Sequence, residues 1–234
     1  MNSILETRNL TKYYGTAKVV DHVDITINKG DIYGLIGKNG AGKTTVMKLI
    51  LSMVKPSEGS IVLFGEDVSE MSGINNRIGA LIDNPAFYPF FSATENLEYY
   101  RRAKGLPSNI DINKLIKEVG LEEAENKKYK NFSLGMKQRL GIALALLGDP
   151  EFLVLDEPIN GLDPEGIKEI RDLLIERNSK YGTTIFISSH ILSELSQLAT
   201  KYGVVHKGKI LDEIKSSELT TDLETYFLET IRGL

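Results

Sequence analysis

Apolar residues recur with two different periods along this chain, and the period changes at two places. Before about residue 83, short alternating or continuous apolar runs predict strands over residues 23–27, 32–36, 60–64 and 77–82. From there to about residue 148, the apolar residues recur at helical spacing and no strand is predicted. Strands and helices then alternate again. The pattern indicates an α/β fold in which a parallel-sheet core is interrupted by a helical insertion.

Helix boundaries within this pattern are marked by residues that cap helices. Ser92 and Glu95 have capping-box spacing ahead of one predicted helix, and Gly120 ends another that begins near Ile112. The helix after residue 45 is expected to bury a broad apolar face made of Val46, Met47, Leu49, Ile50 and Met53. The later predicted elements are strands over 152–155, 184–188, 203–206 and 209–212, and helices after Asp163-Pro164, from Ile191, and in the tail from Ser216.

The composition is that of a globular domain and argues against several kinds of binding site. The 234 residues are 41% hydrophobic and 26% charged, which is ordinary for a soluble globular domain. The net charge of −4 provides no basic field for nucleic acid, and the absence of cysteine excludes disulfides and thiolate metal sites. The N-terminus has no leader pattern, and no apolar run approaches the ~18–20 residues that span a bilayer. A role at a membrane would therefore need another chain to provide the span.

The most informative motif is a phosphate-binding loop between the predicted strand at 32–36 and the helix after it. The loop consists of Gly37, Lys38, Asn39, Gly40, Ala41, Gly42, Lys43, Thr44 and Thr45. A loop with few Cβ atoms lets backbone N–H groups converge on a polyphosphate, and the following helix N-terminus adds a positive field. Lys43 is expected to reach the β- and γ-phosphates and Thr44 to bind Mg²⁺. The motif predicts a nucleoside triphosphate site.

Two carboxylates follow the apolar run of residues 152–155. Asp156 is expected to hold Mg²⁺ beside Thr44, because open α/β sheets bind ligands at the carboxyl ends of their strands. Glu157 is expected to polarise a water for in-line attack on the γ-phosphate. An acidic pair at a strand end is often only a solvated edge, but its combination with the phosphate loop favours a catalytic role. A Glu directly after the metal-binding Asp also favours hydrolysis over transfer.

A third motif, Ser133-Leu134-Gly135-Met136, opens the helical run that precedes this strand. Ser133 is suited to cap the helix, and the N–H groups of Leu134 and Gly135 form a second anion site. A single phosphate group does not need two helix N-termini from distant parts of one monomer. A second copy is therefore expected to supply one of them.

This order of motifs resembles the ATP-binding-cassette (ABC) ATPases over essentially the whole chain. The resemblance implies one ABC ATPase domain over residues 1–234, with a P-loop NTPase, RecA-like core (1–82 and 149–234), an N-terminal antiparallel β part and a helical subdomain (83–148). It also implies a head-to-tail dimer in which the signature loop, Ser133 to Met136, closes on the partner's phosphate loop around ATP and Mg²⁺.

Further residue roles follow from the resemblance. Tyr14 matches the aromatic residue that stacks on adenine, with Tyr13 as the alternative and a purely structural tyrosine also open. His190 matches the switch histidine that contacts the γ-phosphate, so the catalytic set is Glu157, His190 and Lys43. Residues 160–163 match the loop that crosses between subunits. His22 and His206 are expected to be structural.

Two departures from the family pattern indicate a branch. Asp83 stands at the hinge where the family usually has Gln, so it is expected to contact Mg²⁺, directly or through water. The signature loop has Leu134 and Met136 where Gly and Gln are commoner. These departures, with the aromatic segment 87–90, resemble the bacitracin-resistance and lantibiotic-immunity branch of drug exporters.

The implied function is that of an ATPase subunit (ATP + H₂O to ADP + phosphate) that drives export of a drug or antimicrobial peptide. Its implied partners are a second ATPase subunit, identical or a close paralogue, and a separate transmembrane permease. The implied location is cytoplasmic, on the inner face of the cell membrane. The alternative is a soluble ABC-type regulator or assembly ATPase, although such proteins often carry two cassettes or long insertions, which this chain lacks. A P-loop kinase would leave the signature motif and His190 unexplained.

The hinge segment contains a cluster of aromatic residues, Phe87, Tyr88, Phe90 and Phe91. Such a cluster in a loop is either an internal anchor or an exposed docking patch for another protein. The family resemblance favours docking of the permease. At least one of these rings is therefore expected to be accessible to solvent.

Overall fold

The computed structural model describes residues 3–70, 76–83, 85–124 and 126–233. The chain divides into two compact units, the first formed by Met1–Asn75 with Thr184–Leu234 and the second by Asn76–Thr183. The helical subdomain predicted over 83–148 falls within the second unit. Asn84 of the predicted hinge, and Met1 and Asn2, lie outside the described residues.

The first unit contains an antiparallel sheet and a mainly parallel one. Its strands are β1 (Ser3–Tyr14), β2 (Ala17–Val23), β3 (Thr26–Asn28), β4 (Ile32–Ile36), β5 (Glu58–Leu63), β6 (Glu66–Asp67), β9 (Thr184–Ser189), β10 (Lys201–His206) and β11 (Lys209–Lys215). Its helices are α1 (Lys43–Ile50), α6 (Leu192–Leu195) and α7 (Leu223–Arg232). In the antiparallel sheet, β1 pairs with β2, β3 and β5, and β5 pairs with β6. The predicted N-terminal antiparallel part is confirmed.

Parallel pairing organises the rest of the first unit. β4 lies between β10 and β9, parallel to both, and β11 adds to β10 as an antiparallel strand. All residues of β4 and β9 are buried, as expected for strands covered on both faces. On β4, Tyr33 donates a hydrogen bond of 2.6 Å to Glu213 of β11, and burial raises the pKa of Tyr33 well above its usual range. The buried phenol and its carboxylate partner therefore tie β4 to β11.

The strand predicted over residues 23–27 is interrupted, and this prediction was wrong at its centre. β2 ends at Val23 and β3 begins at Thr26. The side chain of Thr7 on β1 occupies the break, since its hydroxyl donates to Val23 O (2.9 Å) and accepts from Ile25 N (2.8 Å). Asp24 Oδ1 accepts from Asn9 N at 2.6 Å. Side chains thus satisfy the backbone groups that a continuous ladder would have paired.

Helix α1 ends earlier than its apolar pattern predicted. Ser52 adopts a left-handed backbone with φ 56°, and the N–H groups of Ser52 and Met53 bond to Leu49 O (3.0 Å) and Lys48 O (2.9 Å). This is the Schellman arrangement that terminates helices. The prediction that Met53 belongs to the buried face was wrong, because its side chain is 54% exposed beyond the helix end.

The second unit contains one parallel strand pair and most of the helices. Its elements are β7 (Ile78–Leu81), α2 (Ala93–Ala103), α3 (Ile112–Glu118), α4 (Leu134–Leu146), β8 (Phe152–Asp156) and α5 (Pro164–Tyr181), with 3₁₀ turns at Glu122–Ala124 and Tyr129–Asn131. The described residues between 83 and 148 contain no strand, as predicted. The capping box of Ser92 and Glu95 is present, and hydrogen bonds from Ser92 N and Lys128 lower the pKa of Glu95. None of the described helices combines the length and apolar character that a membrane crossing requires.

The break between β2 and β3 gives the first prediction. Thr7→Val keeps the shape of the side chain but removes both hydrogen bonds to the break, so we expect it to lower the free energy of unfolding by about 1–3 kcal/mol. Urea unfolding followed by circular dichroism measures the change. Thr26→Val, at an exposed position of β3, is the matched control and should change stability by less than about 0.5 kcal/mol. Equal effects of the two substitutions would contradict the role assigned to Thr7.

Candidate functional site

The predicted phosphate loop lies between the buried end of β4 and the start of α1. Within the loop, Ala41 N bonds to Lys38 O at 3.1 Å, and Ala41 O accepts from Gly208 N at 2.9 Å. Gly42 precedes α1 with φ 109°, and a Cβ on it would lie 2.8 Å from Val19 O. The loop therefore combines a fixed backbone with an N-terminal helix end, which is the arrangement that binds phosphate groups.

Lys43 folds back over this loop. Its ammonium donates to Gly37 O at 2.8 Å and lies 3.5 Å from Lys38 O, and the residue is only 6% exposed. A buried cation held by loop carbonyls is already positioned in the loop to which a polyphosphate would bind. The geometry is compatible with the predicted role of Lys43.

Strand pairing brings His190 to the edge where the phosphate loop begins. Ile36 at the end of β4 pairs with Ser189 at the end of β9, so Gly37 and His190 follow neighbouring positions. His190 is exposed, and Ser189 Oγ accepts from Ile191 N at 3.0 Å just beyond it. The helix predicted from Ile191 is the single turn α6. The sequence pattern alone could not place His190 beside the loop, because the two segments are about 150 residues apart.

Of the two candidate adenine-stacking residues, Tyr14 has the more accessible ring. It is 48% exposed at the end of β1, whereas Tyr13 is half-buried. The ammonium of Lys12 lies 5.4 Å from the centre of the Tyr14 ring and donates to Lys55 O at 2.6 Å. Stacking on a base requires an accessible aromatic residue.

The other two histidines have different surroundings. His22 Nδ1 lies 2.6 Å from Asp21 Oδ1, and hydrogen bonds from Lys18 and then His22 hold the pKa of Asp21 well below its usual range. His206 is half-buried on β10. The structural role expected for both histidines stays a prediction.

In the second unit, strand pairing puts the segments that carry the three predicted carboxylates at the same end of two neighbouring strands. Leu81 of β7 pairs with Leu155 of β8, so Asp83 lies just beyond one strand end, while Asp156 is the last residue of the neighbouring strand and Glu157 follows it. Asp83 is exposed, and both Asp83 (φ 54°) and Glu157 (φ 50°) have left-handed backbone conformations. Non-glycine residues adopt this conformation much less often than glycine does.

Gln138 on α4 has a role in this region that the sequence did not predict. Its amide donates to Glu157 O at 3.2 Å and to Pro158 O at 2.8 Å. It therefore holds the start of the segment that carries Glu157. The sequence offered one signal for such a role, which is that Gln138 lies one helical turn after Leu134 of the signature loop.

The signature loop opens α4 as predicted. Ser133 caps the helix by accepting a hydrogen bond from Met136 N at 3.2 Å, and Leu134 is 64% exposed. Asp163 caps α5 through Gly166 N at 3.1 Å, with Pro164 in the first turn. The start of α4 is thus capped and exposed where a second anion site was expected.

The aromatic segment after Asp83 is partly buried and partly exposed. Phe87 is 7% exposed and packs against Tyr100 and Tyr129. The expectation of an accessible ring is confirmed, since the exposed fractions of the other three residues are 41% for Tyr88, 68% for Phe90 and 37% for Phe91.

Asn96 fixes the backbone of this aromatic segment. The residue is fully buried, accepts from Tyr88 N (2.8 Å) and donates to Ser92 O (2.9 Å). The exposed rings therefore belong to a segment whose backbone is fixed by the hydrogen bonds of a buried side chain.

The candidate site residues fall into two sets. The first unit carries the phosphate loop, Tyr14 and His190; the second carries Asp83, the signature loop, Asp156 and Glu157. Over the described parts of the chain, no group of three or more His, Cys, Asp or Glu side chains is arranged to hold a metal. The predicted Mg²⁺ donors are a hydroxyl and two carboxylates, which fit Mg²⁺ because it takes few protein oxygens and fills its shell with phosphate and water.

Comparison with known proteins bears on the family of the chain. A family model described as ABC transporter matches residues 20–160. The bacitracin transport ATP-binding protein BcrA of Enterococcus faecalis is 46% identical over 220 residues, which are 94% of this chain and 71% of that protein. The lantibiotic transport ATP-binding protein SrtF of Streptococcus pyogenes is 43% identical over 96% of each chain. The solved ATP-binding subunit of an ABC transporter superposes with a TM-score of 0.87 at 26% identity, covering 97% of this chain and 99% of that one.

The close approach of Gly42 to Val19 O gives the second prediction. Gly42→Ala should lower the free energy of unfolding by about 1–3 kcal/mol more than Gly40→Ala, because a Cβ at Gly42 meets backbone at 2.8 Å while one at Gly40 meets open space. Both positions have positive φ (79° at Gly40 and 109° at Gly42), so both variants carry backbone strain. Thermal unfolding of the two variants measures the difference. Equal melting temperatures would show that the approach to Val19 does not constrain the loop.

Proposed function

The chain belongs to the ABC transporter family, as an ATP-binding subunit whose ATP hydrolysis is coupled to transport, and from this premise we propose that it powers export of a drug or antimicrobial peptide. In this proposal the substrate passes through a separate membrane-spanning permease. The observation that carries the cargo class is the similarity to transport ATP-binding proteins for bacitracin and a lantibiotic. Asp83 and the Ser-Leu-Gly-Met signature point to the same branch.

We further propose that ATP binds to the phosphate loop with its adenine on Tyr14. Backbone N–H groups of residues 37–45 and the N-terminus of α1 would hold the phosphates. Lys43 would turn its ammonium from Gly37 O to the β- and γ-phosphates, exchanging a neutral acceptor for a charged one. The hydroxyl of Thr44 and the carboxylates of Asp156 and Asp83 would hold Mg²⁺, which neutralises phosphate charge when bound.

For hydrolysis, we assign Glu157 as the general base. Its carboxylate would orient the attacking water and accept its proton as the water oxygen bonds to the γ-phosphorus. The bond from the γ-phosphorus to the oxygen that bridges it to the β-phosphate would break, and ADP would leave. Gln138 supports this role because it fixes the backbone of Glu157 and Pro158. His190 would contact the γ-phosphate from the end of β9.

The active form in this proposal is a head-to-tail dimer of two ATPase subunits. The signature loop offers a capped, exposed helix start at Ser133, Leu134 and Gly135, which suits the γ-phosphate of a nucleotide bound to the partner. ATP would hold the dimer closed, and hydrolysis would release it. The permease would dock on the exposed rings of Tyr88, Phe90 and Phe91, close in sequence to Asp83, the Mg²⁺ ligand in this proposal. This docking would put the chain at the inner face of the membrane.

Removal of the general base is the third prediction. Glu157→Gln should bind ATP but hydrolyse it at least ~100-fold more slowly, because a positioned general base contributes about that factor. Trapped ATP should then hold the protein as a dimer, as measured by light scattering with saturating MgATP. Glu151→Gln, at the opposite end of β8, is the control and should turn over like the wild type. A Glu157→Gln protein that stays monomeric or keeps normal turnover would disprove the role of Glu157.

Experiments in cells test the proposed cargo class and the proposed permease partner, and they use the same two variants, Glu157→Gln and Glu151→Gln. Cells that depend on this chain should lose resistance to peptide antibiotics of the bacitracin or lantibiotic type with Glu157→Gln and keep it with Glu151→Gln. The tagged native chain should co-purify from solubilised membranes with a permease. Resistance that is independent of the chain, or recovery without any membrane protein, would favour the soluble regulator.

The dimer arrangement gives the fourth prediction. Gly135→Asp should leave ATP affinity of the monomer intact but lower turnover at least ~100-fold, because the new carboxylate repels the partner's γ-phosphate. Lys43→Ala should be similarly inactive. Mixing the two variants should restore part of the activity, because one site of a head-to-tail heterodimer then carries both defects and the other is intact. Loss of monomer ATP affinity in Gly135→Asp would place the signature loop in its own subunit's site instead.

A further inference from the structure

A leucine and a glycine pack together where the signature loop meets residues 160–163, here called the crossing loop. Gly161 has φ 78°, and a Cβ built on it would lie 2.5 Å from Leu134 Cδ2 and 2.7 Å from Leu134 Cγ. Such distances are shorter than any real side-chain contact, so the Leu134 side chain covers the α-carbon of Gly161 directly. A side chain at position 161 would therefore have to displace the Leu134 side chain.

The packing is reciprocal. A Cβ on Gly135 would lie 3.2 Å from Gly161 O and 3.5 Å from Leu162 Cδ2. The first distance is tighter than most Cβ contacts and the second is ordinary, so the backbone at position 135 also lies near the crossing loop. Two consecutive residues of α4 interlock with two consecutive residues of the crossing loop, so a shift of one loop displaces the other.

Hydrogen bonds fix both ends of the segment that contains the crossing loop. At its start Gln138 donates to Pro158 O, and at its end Asp163 caps α5 through Gly166 N. Leu134 lies one turn before Gln138 on the same helix. The centre of the crossing loop therefore contacts α4 through Leu134, between two fixed ends.

Leu134 is 64% exposed, so it adds little to the buried core of the unit. Its side chain contacts Gly161. A leucine at this position therefore acts on the conformation of a loop rather than on the packing of a core.

We propose that Leu134 is a positioning residue that sets the conformation of the crossing loop and makes it respond to the phosphate bound at the signature loop. A phosphate that settles on the N–H groups of Leu134 and Gly135 shifts the first turn of α4, and the interlock passes this shift to Gly161 and Leu162. The inference rests on the proposed function, because the phosphate belongs to the partner's nucleotide.

A double-mutant cycle tests the interlock. Gly161→Ala should lower kcat about tenfold, because the new methyl group must displace Leu134. The double variant Leu134→Ala with Gly161→Ala should recover at least about threefold of that loss, because the smaller side chain makes room. Leu134→Ala alone should lower the Hill coefficient for ATP towards one, while the affinity of the monomer for a fluorescent nucleotide stays unchanged. A lower Hill coefficient with unchanged nucleotide affinity would indicate a positioning role, because a general structural defect would weaken binding as well.

Two control variants make the cycle specific. Gly105→Ala adds a methyl group at a similar left-handed backbone (φ 64°) in open space, and it reports the strain alone. Leu228→Ala removes another exposed leucine, on α7. Both should keep wild-type kcat. The proposal is overturned if the Gly161→Ala defect is equally large in the Leu134→Ala background, or if it is no larger than that of Gly105→Ala.

If the Gly161→Ala protein does not fold, a second measurement on another variant tests the proposal. In Leu134→Ala, which keeps Gly161, amide hydrogen exchange should become faster in residues 160–163 and stay unchanged in α2. Unchanged exchange in the crossing loop would overturn the inference. A wild-type protein without ATPase activity would instead count against the proposed function, so the two failures are distinguishable.

Discussion

Parallel strands that are buried on both faces determine where the polar chemistry of this protein lies. β4 and β9 expose none of their residues, and their ends are in register at Ile36 and Ser189. Because both strands run in the same direction, the residues that leave them do so at one edge. The phosphate loop and His190 therefore begin side by side. In the second unit, the pairing of Leu81 with Leu155 does the same for Asp83, Asp156 and Glu157.

Close approach of backbones is the second recurring constraint. In the phosphate loop, a Cβ on Gly37 would lie 2.4 Å from Val205 O and one on Gly42 would lie 2.8 Å from Val19 O. The loop is therefore supported by two strands from outside, and its conformation does not depend on its own short-range bonds alone. Such support allows the loop to present N–H groups to a ligand without rearranging first, which reduces the entropic cost of binding.

Helix α4 connects several parts of the second unit. Ser133 caps it, Leu134 packs on Gly161, and Gln138 bonds to the segment after β8. Arg139, the next residue, donates to Val119 O at 2.8 Å and pairs with Glu169 of α5 at 2.7 Å. These contacts come from side chains that are close together on one helix. Helix α4 therefore connects the signature loop at its start with the segment that carries Glu157.

The local features of this protein were determined by its sequence. The phosphate loop, the caps at Ser92, Ser133 and Asp163, and the alternation of strands and helices depend on residues within a few positions of one another, so periodicity and spacing reveal them. The family could also be identified from the order of these motifs. The role of Thr7 between β2 and β3, the hydrogen bonds of Gln138 and the contact of Leu134 with Gly161 were decided only by the tertiary structure. Each of these joins residues that are distant in the chain, and their distances follow from packing, which no local pattern encodes.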